Sequence, residues 1–296
     1  MYFFNLIFNF IDIRLCKFVI QFFIMKKGVL LCTMLALILI LSCAKNPFTG
    51  KSTMALVDNS QIFPTAFQQY GTFLKENKVI AGTTDALKVE QVGMKIRAAA
   101  EKWLNANGYT EYLKDYRWEY KLVENKEVNA WCMPGGKIVV YSGILPITKD
   151  EEGLATVMGH EVSHALANHG QQRMSAGMLQ QAGAVGVAVA TGGESAQTQQ
   201  LAMLAYGGIS QYGGMMPFSR SHESEADMIG LKLMAIAGYN PERAIEFWGR
   251  MSKASGGQKP AEFMSTHPSD ETRIANLKRL VPEAKAEALK FGVTFK

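Results

Sequence analysis

The chain has 296 residues and a formal net charge of +5, with 48% hydrophobic and 19% charged residues. This is ordinary globular composition with an apolar N-terminal segment added to it. No run of basic residues indicates nucleic-acid binding, so we expect no nucleic-acid partner. The part of the chain after residue 42 is long enough to bury one hydrophobic core, and we expect a single domain there.

Residues 1–42 consist of two apolar blocks. The second begins at Met25 and has two lysines, an apolar run and a Leu-Ser-Cys ending at Cys43, which is typical of a bacterial lipoprotein signal with the cysteine acylated. Residues 1–24 have no place in such a signal, so we expect Met25 to be the true start. The alternative is one or two transmembrane anchors. Cleavage before Cys43 would leave Cys132 as the remaining thiol and exclude an intramolecular disulfide.

We expect residues 43–57 to be a lipidated polar tether and residues 58–296 to be the folded domain. Helical periodicity predicts helices at 58–77 and 84–105. A small sheet follows, because apolar and polar residues alternate over 118–123 and because the segments 129–133 and 137–142 flank a Pro-Gly-Gly turn. An edge strand there can hold an extended peptide by strand addition. The alternative is a hairpin that serves only the core.

The stretch from Thr148 to Gly170 is predicted to be one helix. Thr148 and Glu151 have the spacing of a capping box, and Gly170 is available for a left-handed C-terminal cap. Apolar residues at helical spacing supply a buried stripe. The helix contains an H-E-x-x-H motif, His160 to His164.

Residues four apart lie on one face of a helix, about 6 Å apart along the axis. The imidazoles of His160 and His164 can therefore bind one tetrahedral zinc ion at about 2.0–2.1 Å each. Glu161 lies one residue further on, where its carboxylate can reach a metal-bound water. The alternative is a surface helix that contains two histidines by chance.

The helical pattern continues after Gly170 to about Ala190. Within it, residues 182–190 are apolar but too short to span a bilayer, and either close packing of their small residues or contact with a membrane would explain them. Residues 191–217 are rich in Gly, Gln and Ser and low in charge. We expect this stretch to be partly helical and partly a mobile flap or lid.

A second site helix is predicted from Ser219 to Gly238. Glu223 and Asp227 are four residues apart on one face of it. Glu223 can be the third zinc ligand that a catalytic site needs, and Asp227 can orient a ligand imidazole by accepting its N–H. The alternative is that these acidic side chains only interact favourably with the positive N-terminal end of the helix dipole. Glu225 is expected to point elsewhere on the helix.

All five histidines lie in this half of the chain. His267, in a loop before a helix predicted to be capped near Ser269, can stabilise an oxyanion, fill the open zinc position reversibly, or pack as an ordinary loop residue. His169 is expected to be a cation at a helix terminus. The sequence leaves the role of His222 open.

Four motifs in order resemble metallopeptidase family forty-eight, which includes HtpX-type, Oma-type and prenyl-protein-type zinc endopeptidases, all gluzincins. They read N-A-x-x-x-P-G-G-K-I, H-E-V-S-H, S-R-x-x-E-x-E-A-D and T-H-P-x-x-x-x-R-I, and the resemblance covers roughly residues 46–280. It implies that zinc is bound by His160, His164 and Glu223. It also implies that Glu161 is the general base and that Asp227 supports a ligand.

The resemblance further implies that the substrate cleft runs along Asn129, Ala130, Pro134 and Gly135. Two departures limit it. The multi-span membrane core of the HtpX and prenyl-protease branches is missing, and no repeat array follows the domain. The chain therefore resembles the short lipoprotein members of the family.

From these observations we expect an α+β, predominantly helical, zincin-like domain with a small sheet beside the H-E-x-x-H helix. The expected function is zinc-dependent endopeptidase action on misfolded or misassembled envelope proteins, with Glu161 and His267 as catalytic residues and one zinc per chain. The expected location is the periplasmic face of the outer membrane, anchored through Cys43, with the envelope assembly machinery as a further partner. Two alternatives stay open: a chaperone or scaffold that seldom cleaves, and a zinc site with four protein ligands, completed by His267.

Overall fold

The structure is a computed structural model that describes residues 43–254, 263, 267 and 271–295. The expectations about the signal segment 1–42, the start at Met25 and the cap at Ser269 lie outside the described residues. Among the described residues, none of the helices combines the length and hydropathy needed to cross a bilayer.

The strands are short and the helices make up most of the domain. The strands are β1 (Cys43–Lys45), β2 (Ser52–Met54), β3 (Val79–Ile80), β4 (Glu119–Val123), β5 (Ala130–Met133) and β6 (Lys137–Tyr141). The helices are α1 (Asn59–Glu76), α2 (Thr84–Ala106), α3 (Leu145–Thr148), α4 (Glu151–Leu166), α5 (His169–Ala190), α6 (Ala196–Gly208), α7 (Met216–Ile236), α8 (Arg243–Ala254) and α9 (Glu271–Leu289). A 3-10 turn at Ser142–Ile144 precedes α3, and a π-helical segment at Ile209–Met215 joins α6 to α7.

The main sheet has the strand order β3-β4-β6-β5. β4 and β6 are parallel, and β5 pairs antiparallel with β6, with Ala130 opposite Val140. This leaves β5 on an edge of the sheet, where it packs against α4. The predicted fold class, a mostly helical α+β domain with a small sheet beside the motif helix, is confirmed.

The segment 43–57, expected to be a tether, contacts the domain instead. β1 and β2 form an antiparallel ribbon, and Asn46 and Phe48 between them are buried. The ring of Phe48 stacks on Trp103 of α2 with their centroids 4.4 Å apart. A chain that buries an aromatic ring in this way is part of the fold, because the burial offsets the cost of ordering the segment.

The motif helix is shorter than the predicted stretch from Thr148 to Gly170. Thr148 ends α3 and its hydroxyl donates to the carbonyl of Leu145, so it is not available as a cap. The cap is Asp150, whose carboxylate accepts from the Gly153 N–H at 2.8 Å. At the other end Asn168, with φ 56°, takes the left-handed conformation expected of Gly170 and turns the chain into α5.

Helices α4 and α7 cross at two glycines. A Cβ added to Gly230 would lie 3.0 Å from the carbonyl carbon of Gly159 and from the backbone nitrogen of His160. Because neither residue has a side chain, the two backbones come into direct contact. This close crossing positions Glu223 and Asp227 opposite the motif histidines, within the main hydrophobic core.

Candidate metal centre

Four side chains converge where α4, α7 and the loop before α9 meet. One donor atom from each of His160, His164, Glu223 and His267 lies within 4.8 Å of the other three. The Nε2 atoms of His160 and His164 are 3.1 Å apart, and each is 3.3 Å from a carboxylate oxygen of Glu223. Ligands at about 2.05 Å from a tetrahedral zinc would be about 3.3 Å from one another, so these separations fit a zinc ion.

Burial and charge at this cluster also suit a cation. His160, His164 and Glu223 are 2%, 6% and 8% exposed. Burial raises the pKa of the Glu223 carboxyl, but the imidazoles of His160, His164 and His267 beside it outweigh this effect and hold the pKa far below its usual range. The carboxylate therefore stays ionised in a buried site, where it requires a positive charge beside it.

His160 is oriented by a carboxylate and an arginine. Its Nδ1 lies 3.0 Å from Asp227 Oδ1, so Nδ1–H donates to Asp227 and Nε2 keeps its lone pair for a metal. Arg273 of α9 donates to both oxygens of Asp227, at 2.8 Å from Nε and 2.6 Å from Nη2. The guanidinium also packs over Trp248 at 3.5 Å and donates to the backbone carbonyl of His267 at 3.3 Å. Sequence reasoning assigned no role to Arg273, although it stands in the last of the four motifs.

His164 is oriented by a second chain of hydrogen bonds. The Nδ1 atoms of His164 and His169 are 2.8 Å apart, and His169 Nε2 is 2.8 Å from Glu225 Oε2. The carboxylate can only accept, so His169 donates through Nε2 and its Nδ1 accepts from His164 Nδ1–H. This assignment leaves His164 Nε2 unprotonated and free to bind a metal.

The same contacts correct the expectation that His169 is a cation at a helix terminus. Its side chain is 0% exposed, and burial lowers its pKa, which keeps the imidazole neutral. Glu225 does point away from the metal cluster, but toward His169 rather than toward solvent. The predicted helix ran on to Gly170, whereas the chain turns at the left-handed Asn168 and α5 starts at His169, which brings His169 against His164.

Glu161 has the properties of a general base in a buried site. It is 4% exposed, and its Oε1 atom has no hydrogen-bond partner within the described part of the chain. Burial raises the pKa of this carboxyl, which brings it nearer to the pH at which a base must exchange protons. His267 Nε2 lies 3.5 Å from Oε1, so the carboxylate faces the cluster.

The loop residue His267 is brought into the cluster, while His222 is not. His267 Nδ1 lies 2.8 Å from Glu223 Oε2 and 3.2 Å from His160 Nε2. His222 is buried behind His169, with their ring centroids 4.0 Å apart, and its Nε2 pairs with Gln172 at 3.1 Å. In the described residues, the metal-ligating group includes His267 and leaves His222 out.

The residues expected to line the cleft lie at the edge strand β5 and the turn after it. The Asn129 side chain accepts from the Ala130 N–H, and Gly135 has φ 83°, which a glycine adopts without strain. Burial raises the pKa of the Cys132 thiol in β5, and the nearby Glu161 carboxylate raises it further, which places this strand beside the cluster. Pro134 lies in the turn, close to the start of α5. A role for Asn129, Ala130, Pro134 and Gly135 in substrate binding stays a prediction.

The domain that carries this cluster is similar to a known protein family. Residues 91–281 match the model of Peptidase family M48. The chain belongs to peptidase family M48. The family predicted from the four motifs is therefore confirmed, and so is the enzyme class, a metallopeptidase.

Several curated proteins are similar to this M48 chain. The mitochondrial metalloendopeptidase OMA1 of Schizosaccharomyces pombe is 36% identical over 59% of this chain and 50% of its own length. The OMA1 of Saccharomyces cerevisiae is 34% identical over 67% of this chain and 56% of its own. The beta-barrel assembly-enhancing protease of Escherichia coli is 33% identical over 52% of this chain and 32% of its own. The chain thus spans about half the length, or less, of these relatives.

Proposed function

We propose that this chain is a zinc-dependent endopeptidase in which His160, His164 and Glu223 bind the metal and Glu161 is the general base. The observation that carries the proposal is the spacing of the three donors, 3.1 to 3.3 Å, beside the buried Oε1 of Glu161, which accepts no hydrogen bond from the described residues. A zinc ion held there would supply Lewis-acid chemistry toward the scissile carbonyl and its attacking water.

The residues of the chain then perform the remaining steps. Glu161 accepts the proton of the attacking water and delivers it to the leaving amine nitrogen. Asp227 and His169 hold the two ligand imidazoles in the required tautomers. The side of edge strand β5 that faces away from β6 would offer backbone groups to an extended polypeptide, along Asn129 to Gly135, by strand addition.

The experiment compares Glu161→Gln with wild type and Glu223→Ala, using the full chain with zinc content and casein cleavage measured in the same samples. Glu161→Gln should keep one zinc per chain and lose cleavage by about 10²–10⁴-fold, because only the proton acceptor is removed. Glu223→Ala should lose both. Cleavage by Glu161→Gln at the wild-type rate would refute the general-base assignment. Zinc retained by Glu223→Ala would move the third ligand to His267.

A second candidate state is favoured by the position of His267. Its Nδ1 lies 3.2 Å from His160 Nε2, close to the separation of about 3.3 Å between two ligands of one tetrahedral zinc ion. We therefore propose a resting enzyme in which His267 fills the fourth zinc position and must leave before substrate binds. His267→Ala should then cleave casein faster than wild type. A slower variant with normal zinc content would instead support the oxyanion role.

We further propose that the protein is anchored through Cys43 on the periplasmic face of the outer membrane and acts on misfolded or misassembled envelope proteins. The support is the lipoprotein-like sequence before Cys43 and the similarity to a beta-barrel assembly-enhancing protease. Partners in the assembly machinery belong to the same proposal. Cys43→Ser should abolish incorporation of labelled palmitate, and persistent labelling would refute the anchor. A cellular phenotype lost with Cys43→Ser but unchanged in Glu161→Gln would favour the scaffold alternative.

A further inference from the structure

The segment from Met174 to Met216, called here the hairpin, projects from the domain. It contains most of α5, all of α6 and the π-helical segment. Where side chains are described, none from Ala176 to Ser221 is buried. Within the described residues, every exposed large hydrophobic side chain apart from Leu87, Met94 and Leu289 lies in the hairpin. Soluble monomers rarely expose so much apolar surface in one place, which indicates an interaction surface.

The two arms of the hairpin meet through polar groups. Tyr206 OH donates to the backbone carbonyl of Gln180 at 2.7 Å, and Gln180 Nε2 donates to Ser210 Oγ at 2.9 Å. Gly183 leaves room for the Tyr206 ring, because a Cβ there would lie 2.2 Å from the hydroxyl. Small residues and hydrogen bonds between helices are what helix pairs in lipid use.

The apolar side chains of the hairpin point outward instead. Val189, Leu204 and Ile209 are 77%, 66% and 73% exposed. A helix pair designed for water would turn these side chains toward each other or toward the core. The stretch also contains a single charged residue, Glu194. The apolar side chains face outward and polar groups lie between the two arms, which is the reverse of the distribution expected in water.

The base of the hairpin lies beside the place where the apolar N-terminal sequence joins the domain. The backbone N–H of Leu56 donates to Ser175 Oγ at 3.0 Å, and Gln171 donates to the carbonyl of Val57, which ties α5 to the segment after β2. β2 pairs with β1, whose first residue is Cys43. If Cys43 is acylated the bilayer begins there, and if residues 29–41 form an anchor it begins there as well. Both interpretations put a membrane next to the hairpin.

We propose that the hairpin inserts into the boundary between headgroups and acyl chains of the bilayer to which the N-terminus leads. Protein interfaces are enriched in aromatic residues, methionine and arginine, whereas the five most exposed large hydrophobic side chains of the hairpin are all Val, Leu or Ile, which favours lipid over a protein partner. Gln181 and Gln200 are interspersed with them, and their amides need water or headgroups nearby. The binding is therefore shallow and apolar. This proposal does not depend on the proposed peptidase activity.

The experiment places a reporter on the hairpin of the full chain, reconstituted in phosphatidylcholine vesicles. Val189→Trp and Leu204→Trp add one tryptophan each, and the matched control Leu289→Trp changes a residue that is 61% exposed outside the hairpin. The four native tryptophans all lie outside the hairpin and give a common background. In vesicles brominated on the acyl chains, the added emission of the first two variants should be quenched and that of the control should not. The quenching should persist at high salt, because no basic residue of the hairpin takes part.

Two results of this quenching experiment would overturn the proposal. One is equal added emission in plain and brominated vesicles. The other is a blue shift without quenching, which would indicate a protein contact. As a second variant, Leu204→Glu in the Val189→Trp background should weaken the quenching while the circular dichroism of the domain stays unchanged. Quenching that is indifferent to this added charge would also count against insertion.

Discussion

The helices of the metal centre and those of the hairpin both contain glycines, but these glycines have opposite surroundings. At the crossing of α4 and α7, Gly159 and Gly230 bring two backbones together and the helix faces around them are buried. In the hairpin, Gly186 and Gly207 have nothing within 4 Å of an added Cβ. The glycines at the crossing therefore have a packing function, whereas Gly186 and Gly207 of the hairpin only weaken their helices.

The two regions also differ in how many charged residues they contain. The buried acids Glu161, Glu223 and Asp227 lie at the crossing together with Arg273, whereas the hairpin has a single charged residue on its surface. Buried ion pairs seldom add to the stability of a protein, and removing one member of a pair leaves the other charge buried without a partner. The concentration of these charged residues at one helix crossing is therefore evidence for a ligand that they bind. The single charged residue of the hairpin gives no such evidence.

The largest effect that tests this contrast is expected from Gly230→Val. The new side chain would meet the backbone of Gly159 and His160 at about 3.0 Å, so the helices must separate. We expect a loss of about 1–3 kcal/mol in the free energy of unfolding, measured by urea denaturation, because overpacked cores lose that much. Zinc affinity should fall as well, since Glu223 moves away from His160.

The matched control is Gly207→Val in α6. It makes the same chemical change in a helix where the Cβ has open space. The free energy of unfolding of the domain and its zinc affinity should stay near the wild-type values. If the two variants lose equal stability, helix propensity rather than the crossing explains the first result.

A smaller effect is expected from His169→Ala. Without its Nδ1 acceptor, His164 is no longer held in the tautomer that leaves Nε2 free. Loss of such supporting hydrogen bonds lowers metal affinity by about 10–100-fold, which competition with a zinc chelator would measure. The d–d spectrum of the cobalt-substituted protein should change too, because it reports the geometry of the ligands.

His222→Ala is the control for this variant. His222 is also buried and stacks on His169, but its ring contacts and hydrogen bond within the described residues are with His169, Phe218 and Gln172 and not with His164. Its removal should leave metal affinity and the cobalt spectrum close to wild type. Equal losses in both variants would mean that packing behind the site, and not the hydrogen bond to His164, supports the metal.

The ligands could be predicted from sequence because their chemistry depends on spacing within single helices. His160 and His164 are one turn apart, as are Glu223 and Asp227, and any helix puts each pair on one face. The strand pair around the Pro-Gly-Gly turn was predictable for the same reason, since alternation and a turn are local signals. These predictions needed no knowledge of how the elements meet.

The contacts between elements could not be predicted in this way. His169 becomes a partner of His164 only because Asn168 adopts φ 56° and folds α5 back under α4. Arg273 reaches Asp227 across 46 residues of sequence. The hairpin was expected to be helical to about Ala190 and partly helical, partly a mobile flap or lid, beyond it. The structure has α5 up to Ala190, then α6 and the π-helical segment. Periodicity cannot show that the apolar residues of these helices face outward.

The smallest effect sharpens the contrast within the hairpin itself. Gly186→Ala should raise local helix stability by about 0.5–1 kcal/mol, because the methyl group meets nothing and alanine favours the helix. Gly183→Ala, three residues earlier, should lower it, since the methyl group would displace the Tyr206 hydroxyl from the Gln180 carbonyl. Hydrogen exchange of the amides in α5 and α6 would measure both changes. Equal protection in the two variants would show that the arms of the hairpin do not pair through Tyr206, and the inside-out arrangement on which lipid contact depends would lose its main support.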